Sequence, residues 1–255
     1  MISDPWFYLV AVPAILITGA SKSGFGTGLG ILGVPMIALT VPINQATGIM
    51  LPILMAMDAF GLWVYRRQWD GRNLAYLLPG ALLGIVVGTL TFRLTDERAI
   101  RFLVGTIAIV FTLAHWWGGR NAPARRPGRL RGALWGTVAG FTSFVAHSGG
   151  TPLSVYLLPQ RLDKTVFVGT TVVFFALVNA AKVPPYAWLG QLAPGNLATS
   201  LVLMPLAPLG IALGVLLHRR VAPGLFYRIC YAMVFLAGLK LLSDSLGLGA
   251  WLRAL

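Results

Sequence analysis

Charged residues are scarce in this chain of 255 residues: they make up 11% of it, and only 7 residues are acidic. An ordinary soluble domain carries roughly 25% charged residues, so this chain lacks the polar covering that a water-exposed surface needs. The one cysteine, Cys230, excludes a disulfide within the chain. No His, Cys and acidic residues have metal-ligand spacing, and no Ser/His/Asp arrangement is readable. The scarcity of charge therefore excludes a soluble enzyme.

Apolar residues, by contrast, make up 57% of the chain, a fraction typical of a polytopic membrane protein. The 20 Lys and Arg residues give a formal charge of +13, but they lie mainly at the ends of apolar runs. That placement is typical of topology signals and argues against nucleic acid as a partner. Several apolar runs of about 20 residues are long enough to span a bilayer. The predicted transmembrane helices cover 44–65, 73–92, 99–118, 165–183, 197–217 and 224–247.

The distribution of arginine predicts which side of the membrane each loop faces. The segment 119–131 carries five arginines and no acid, so we expect a basic cytoplasmic linker there. The loop 184–196 has no charge and is expected outside. With this assignment the apolar segment 132–158 begins and ends on the cytoplasmic side, which predicts a re-entrant hairpin. We expect the segment 5–41 to form the corresponding hairpin in the first half.

An internal repeat divides the chain into two related units. Four matches recur at a single separation of 126 residues: Pro79, Leu83, Gly84 and Gly88 correspond to Pro205, Leu209, Gly210 and Gly214. The first unit is predicted over 1–118 and the second over 132–255, each a hairpin followed by three transmembrane helices. Because three is odd, the second unit lies upside down, which is the inverted-repeat plan of secondary transporters. The predicted fold class is an all-α polytopic membrane protein of two inverted repeats, each with a re-entrant or broken helical hairpin.

Two glycine-rich segments lie near the middle of the predicted hairpins, where glycine lets the backbone turn and approach a ligand. Gly28, Gly30 and Gly33 satisfy the dinucleotide pattern G-x-G-x-x-G, but no soluble βαβ unit surrounds them and we reject that interpretation. Backbone N–H groups freed at such turns favour an anion. The alternative is close helix packing, the role that we favour for the repeated glycines of the later helices. The candidate substrate-binding residues are Ser23, Gly24, Gly26, Thr27 and Gly28, with Ser148, Gly149, Gly150 and Thr151.

Polar residues inside the apolar runs complete the candidate site, because a charge within the bilayer is costly unless it faces a partner or water. Lys22 and Lys182 are candidates for binding an anion. The alternative for Lys22 is a structural ion pair with an acid such as Asp58. The alternative for Lys182 is that its side chain snorkels to the membrane interface. Asp58 and His147 are candidates for a coupling proton, with structural roles as the alternative. His147 is also a candidate for substrate binding. Asn179 lies three residues before Lys182, on the same helix face, and is expected to hydrogen-bond the substrate.

The glycine-rich segments also carry a resemblance to a known family. The motifs occur in paired order: Gly33-Val34-Pro35, Pro42 and Ala46-Thr47-Gly48 in the first half, and Gly140-Phe141, Gly149-Gly150-Thr151-Pro152, Gly169-Thr170, Asn179 and Lys182 in the second. With these motifs the chain resembles the TauE/SafE family of membrane transporters over nearly its whole length. The resemblance implies a two-repeat helical transporter for small sulfur-containing or carboxylate anions.

These observations predict a secondary transporter, an exporter of a small anion such as sulfite or an organosulfonate, with alternating access around the two hairpin tips. Two alternatives stay open: a membrane-embedded accessory protein without transport activity, and a passive anion channel. The expected partners are the anion and the lipid bilayer, with a homodimer left open. We expect no enzyme activity, no cofactor and no metal. The expected location is the cell (inner) membrane, as a multi-pass protein.

Overall fold

The structure is a computed structural model that describes residues 1–26, 32–92, 96–119 and 124–246. Every regular element within these ranges is helical, which confirms the predicted all-α class. The α-helices of the described chain are α1 (Pro5–Phe25), α2 (Gly33–Ile37), α3 (Ile43–Val64), α4 (Gly71–Thr91), α5 (Glu97–Ala114), α6 (Arg129–Ala146), α7 (Gly150–Leu157), α8 (Lys164–Trp188), α9 (Pro194–Leu203), α10 (Leu206–Arg220) and α11 (Pro223–Ser245).

Five of the described helices, namely α1, α3, α4, α8 and α11, are long and apolar enough to cross a bilayer. α9 and α10 pass the same test together but are bent by 47°, so they add a sixth span if the pair crosses as one. A shorter apolar helical stretch runs over Arg101–Trp117. The chain is therefore a multi-pass membrane protein, as its composition predicts.

The bend between α9 and α10 falls at a proline. The sequence predicts one helix over 197–217, but Pro205 separates two helices and forms the N-cap of α10. Proline has no N–H to donate, and its ring collides with the carbonyl of the preceding turn, so the helix breaks there.

α8, by contrast, continues through a pair of prolines. Pro184 and Pro185 lie inside the helix, which ends only at Trp188, beyond its predicted end. Membrane helices tolerate such prolines because neighbouring groups satisfy the freed backbone carbonyls. The extension keeps Tyr186 on the same helix as Lys182, where both contribute to the candidate site.

Two pairs of helices pack with their backbones in close approach. α4 lies against α6, where a Cβ on Gly84 would stand 2.1 Å from the carbonyl oxygen of Thr137. α1 lies against α10, where a Cβ on Gly214 would stand 2.4 Å from the carbonyl oxygen of Ala20. Only glycine permits these separations, which are typical of small-residue packing between membrane helices. The packing role predicted for the repeated glycines is therefore confirmed.

The remaining long helices pack in matching pairs. α3 lies against α8, and α5 lies against α11. α3 also contacts α9 and α10, while α8 contacts α4. Buried apolar side chains form one large cluster centred on α1, α3 and α10 and another centred on α4, α7, α8 and α11. This arrangement brings polar residues of α1, α3, α6 and α8 together inside the protein.

The short helix α7 folds back along α6. A Cβ on Gly149 would stand 2.4 Å from the carbonyl oxygen of Ala139, ten positions earlier in the chain. His147 ends α6 in the left-handed conformation, with φ of 49°. α2 lies against α1 in a similar way, since a Cβ on Gly33 would stand 2.4 Å from Oγ1 of Thr18. Each of the two short helices therefore packs against the long helix that precedes it.

Candidate substrate-binding site

A buried ion pair lies where α1, α3 and α8 meet. Nζ of Lys22 and Oδ1 of Asp58 are 2.5 Å apart, and the two side chains are only 8% and 4% exposed. Asn179 of α8 donates from Nδ2 to Oδ2 of Asp58 at 2.6 Å. Phe175 of the same helix lies under the Lys22 ammonium, with its ring centre 5.8 Å away. Asp58 is the one buried carboxylate among the described side chains, and it joins three helices.

Lys182 lies about one turn beyond Asn179 on α8 and has different neighbours. Its Nζ donates to the carbonyl and hydroxyl oxygens of Ser143 at 3.2 and 3.1 Å, and it lies 3.2 Å from Nδ1 of His147. Within the described residues, no carboxylate lies within ion-pair distance of this ammonium. The side chain is fully buried, so snorkelling to the interface is excluded.

His147 connects Lys182 to Tyr186. Its Nε2 lies 3.4 Å from the hydroxyl of Tyr186, which in turn donates to the carbonyl of Phe144 at 2.6 Å. An ammonium can only donate, so Nδ1 of His147 must accept, which fits a neutral imidazole with its proton on Nε2. With histidine neutral, the cluster contains two ammonium groups and one carboxylate. With both lysines protonated and Asp58 ionised, the buried site carries one more positive charge than negative charge.

Ser23 and Gly24 of the first glycine-rich segment lie within α1 rather than at a free tip. α1 continues to Phe25, so the amides of both residues belong to its hydrogen-bond ladder. Oγ of Ser23 donates to the carbonyl of Ile211 at 2.9 Å, and Gly24 packs against Gly214. The groups left at this helix end are carbonyls, which do not favour an anion. In place of the predicted amide contacts, both residues pack α1 against α10.

Gly26 ends α1 with φ of 76°. A Cβ at this position would stand 2.7 Å from Oγ1 of Thr171 on α8, so both the backbone and the packing require glycine. Thr27 and Gly28 lie outside the described residues.

The second glycine-rich segment forms the start of α7. Oγ of Ser148 donates to the carbonyl of Ala146 at 3.1 Å, and Gly149 is the N-cap. α7 begins at Gly150, so its first amides have no acceptor within the helix. Thr151 is 2% exposed, and its hydroxyl has no hydrogen-bond partner among the described residues. This segment, unlike residues 23–26 of the first, has helix-start amides and a hydroxyl without hydrogen-bond partners among the described residues.

Ser143 and Tyr186 belong to this cluster but were not among the predicted candidates. Ser143 precedes His147 by four residues, a spacing that places both on one face of α6. Tyr186 follows Tyr65 by 121 residues, and each tyrosine donates to a carbonyl 42 residues earlier in the chain. The separation of 121 is a second repeat signal that could have drawn attention to Tyr186.

Comparison with known proteins agrees with this architecture. A family model described as sulfite exporter TauE/SafE matches residues 11–241. A probable inner membrane transporter protein TsaS of Comamonas testosteroni is 28% identical over 180 residues, which cover 69% of this chain and 73% of the relative. No solved structure matches the chain. Because the family model covers most of its length, the chain belongs to the TauE/SafE sulfite exporter family of membrane transporters.

Proposed function

We propose that this transporter moves a small oxyanion such as sulfite or an organosulfonate, and that Lys182 is the residue that holds it. The observation that carries the proposal is that the buried cluster contains two lysines and only one described carboxylate. Lys22 pairs with Asp58, whereas no described carboxylate lies within ion-pair distance of Lys182. A charge within a membrane protein is costly unless it meets a partner or a water-filled path. A bound anion supplies that partner.

The start of α7 supports an anion at the same place. Gly150 and Thr151 follow shortly after His147, which contacts Lys182 directly. Free amides at a helix N-terminus favour negative charge, and the unbonded Thr151 hydroxyl is a further donor. The –SO₃ group of sulfite or a sulfonate has three oxygens, which can accept from the ammonium, the amides and the hydroxyl together. Ser143 and His147 hold the ammonium while the anion is away.

Asp58 offers a way to couple transport to protons. Its carboxylate holds Lys22, and a proton on that carboxylate would remove the charge that holds it. The site would then present the ammonium groups of Lys22 and Lys182 to a divalent anion. His147 is the other candidate for the coupling proton, since it lies between Lys182 and Tyr186.

Helix packing supports inverted repeats over 1–118 and 132–255, joined by the linker 119–131, as the basis of alternating access. α1 pairs with α10 and α4 with α6, so the first helix of each repeat packs on a later helix of the other. Gly26 and His147 are 121 residues apart, and both end their helices with positive φ. Reciprocal packing of this kind, in which each repeat contributes its first helix to the other, is expected when a two-fold axis relates the repeats. An odd number of crossings per repeat puts that axis in the membrane plane.

Inner-membrane location and outward transport are part of the proposal. TsaS is named as a probable inner membrane transporter, and the family is named for sulfite export. The arginines of 119–131 favour a cytoplasmic position for this segment. The substrate would then load from the cytoplasm and leave on the side of the uncharged loop 184–196.

Thermal unfolding of the detergent-purified protein tests the anion site. The panel is sulfite, thiosulfate, sulfate, sulfoacetate, taurine and acetate. A ligand that binds only the folded state adds about 2.7 kcal/mol to the free energy of unfolding at a hundredfold excess over Kd. We expect a selective shift that Lys182→Met abolishes and Lys240→Met preserves, because Lys240 lies on α11 in a pair with Asp244. A wild-type protein that no anion stabilises would contradict the proposal.

Flux through proteoliposomes tests transport itself. We expect saturable efflux of the selected anion that a proton gradient accelerates, and that Lys182→Met lowers at least tenfold. Flux that does not saturate would indicate a passive channel. The absence of flux, together with normal folding, would favour an accessory protein.

A further inference from the structure

A cavity of about 650 Å³ lies outside the cluster around Lys182. Sites for small ligands typically have volumes of roughly 300–1,000 Å³, so this cavity is large enough to hold one. The end of α5, the segment before α8 and the first turns of α11 supply its walls, chiefly His115, Trp116, Arg161, Tyr227, Arg228 and Tyr231.

Basic residues surround this cavity, and none of its lining residues is acidic. Arg161 and Arg228 line it directly. Arg125 of the basic linker donates its backbone N–H to the carbonyl of Pro159 at 2.9 Å, which brings the linker close to Arg161. Asp163, two positions beyond Arg161, is engaged as the N-cap of α8. The cavity is therefore suited to a negatively charged group.

Aromatic rings form the other side of the cavity. The rings of His115 and Tyr231 stack with centroids 3.6 Å apart and planes 3° from parallel. Trp116 packs on Phe235 at 5.1 Å. His115 begins a π-helical turn over His115–Gly119, and such turns are frequent at functional sites. A small hydrophilic anion makes no use of an aromatic wall, whereas an amphiphilic ligand does.

We propose that this cavity binds the phosphate headgroup of an anionic phospholipid. Guanidinium groups match the geometry of phosphate oxygens, and the aromatic wall suits the glycerol and acyl part. The arginine distribution predicts that the segments 119–131, 159–164 and 218–228 lie on the cytoplasmic side. The last two segments line the cavity, and the first bonds to the carbonyl of Pro159 beside it. Basic pockets between transmembrane helices on that side are where such headgroups bind. The proposal is independent of the substrate that the protein transports.

Native mass spectrometry of the detergent-purified protein tests this site, with phosphatidylglycerol and phosphatidylcholine added in parallel. Gly224→Leu adds a bulky side chain at the cavity wall, because Gly224 lines the cavity and a Cβ there meets no atom within 4 Å. Arg228→Gln removes one positive charge from the wall. The matched controls are Gly71→Leu and Arg72→Gln at the start of α4, where a Cβ on Gly71 also meets nothing within 4 Å.

We expect the wild type to retain phosphatidylglycerol at least tenfold better than phosphatidylcholine. Arg228→Gln should lower retention about fivefold, the order expected for one basic residue, and Gly224→Leu should abolish it. Both controls should behave as the wild type. Equal retention of the two lipids, or unchanged retention in Arg228→Gln, would overturn the proposal even if Gly224→Leu fails to fold. Complete displacement of the lipid by millimolar inorganic phosphate would overturn it in favour of a free-anion site.

Discussion

The two halves of the molecule share a framework at positions 121 residues apart. Tyr65 and Tyr186 each donate a hydrogen bond to a carbonyl near the end of a long helix, 42 residues earlier in the chain. Gly26 and His147 each end such a helix with positive φ. The backbone and its tyrosine supports are thus alike in the two halves.

The charges of the two halves differ at the same separation. Lys22 and Asp58 form an ion pair in the first half, and the residues 121 positions later are Ser143 and Asn179, which are neutral. Lys182 adds an ammonium where the first half has a glycine. The second half shows that the shared framework accepts neutral residues at both positions. The protein nevertheless contains one lysine that pairs with a carboxylate and one that does not. This difference supports the proposal that Lys182 serves a ligand.

Removal of Asp58 should have the largest effect on stability. Asp58→Asn leaves the Lys22 ammonium buried without its carboxylate, and breaking a buried pair in this way costs about 3–5 kcal/mol. Lys182→Met should cost much less, because no carboxylate loses its partner. Reversible unfolding in detergent and denaturant measures both. The double variant Lys22→Met/Asp58→Leu should recover most of the loss; equal costs for Asp58→Asn and Lys182→Met would remove the distinction between the two lysines.

Glycine-to-alanine substitutions compare the packing of α4 against α6 with the packing of α1 against α10. Gly84→Ala should cost about 1–3 kcal/mol, since its Cβ would collide with the Thr137 carbonyl at 2.1 Å and force α4 away from α6. Gly210 lies 126 residues later, but its Cβ would stand 3.1 Å from Cα of Gly19, a tight contact that needs only a small shift. Gly210→Ala should therefore cost less in the same unfolding assay. The reverse order would show that α1 and α10 are the more rigid pair.

Replacing either of the two tyrosines should lower the stability of the protein equally, but only one replacement should weaken anion binding. Tyr65→Phe and Tyr186→Phe each leave a buried carbonyl without its donor, at a cost of about 1–2 kcal/mol. Tyr186 also lies against His147, so Tyr186→Phe should weaken anion binding, while Tyr65→Phe should not. Unfolding curves with and without the selected anion separate the two effects. Equal losses of affinity would argue against an anion site in the second half.

The smallest effect is expected at the starts of α3 and α8. Asp163 caps α8 with a side chain that accepts from the amides of Thr165 and Val166, whereas Pro42 gives α3 no side-chain cap. Slight burial raises the pKa of Asp163, but the two amides outweigh it and hold the pKa below its usual value. The stabilisation is therefore present at neutral pH and is lost as the pH falls through the lowered pKa.

Asp163→Ala should cost about 0.5–1 kcal/mol at pH 7, near the lower end for an exposed cap. The difference from the wild type should shrink as the pH falls below the usual pKa of aspartate, about 3.9. Unfolding at pH 7 and at a series of lower pH values measures this change. If the loss of stability in Asp163→Ala did not depend on pH, the negative charge of the carboxylate would not contribute to capping α8.

The candidate site was predictable in its residue types and less so in its contacts. Lys22, Asp58, Asn179 and Lys182 stand out because polar groups are expensive inside apolar runs. The sequence cannot say that Lys22 and Asp58 pair while Lys182 does not, since both lysines have the same chemistry. Nor does it show that Gly24 lies within a helix, because glycine suits packing as well as turning.

Composition and the placement of charge determined that this is an all-α membrane protein, because apolar runs of spanning length have no other stable arrangement in lipid. The family followed from motifs in paired order. Tertiary structure alone decided which lysine is neutralised. Lys22 reaches Asp58 because α1, α3 and α8 meet at one point. Contacts between helices that are far apart in the chain depend on how their whole surfaces pack, and the local sequence does not specify that packing.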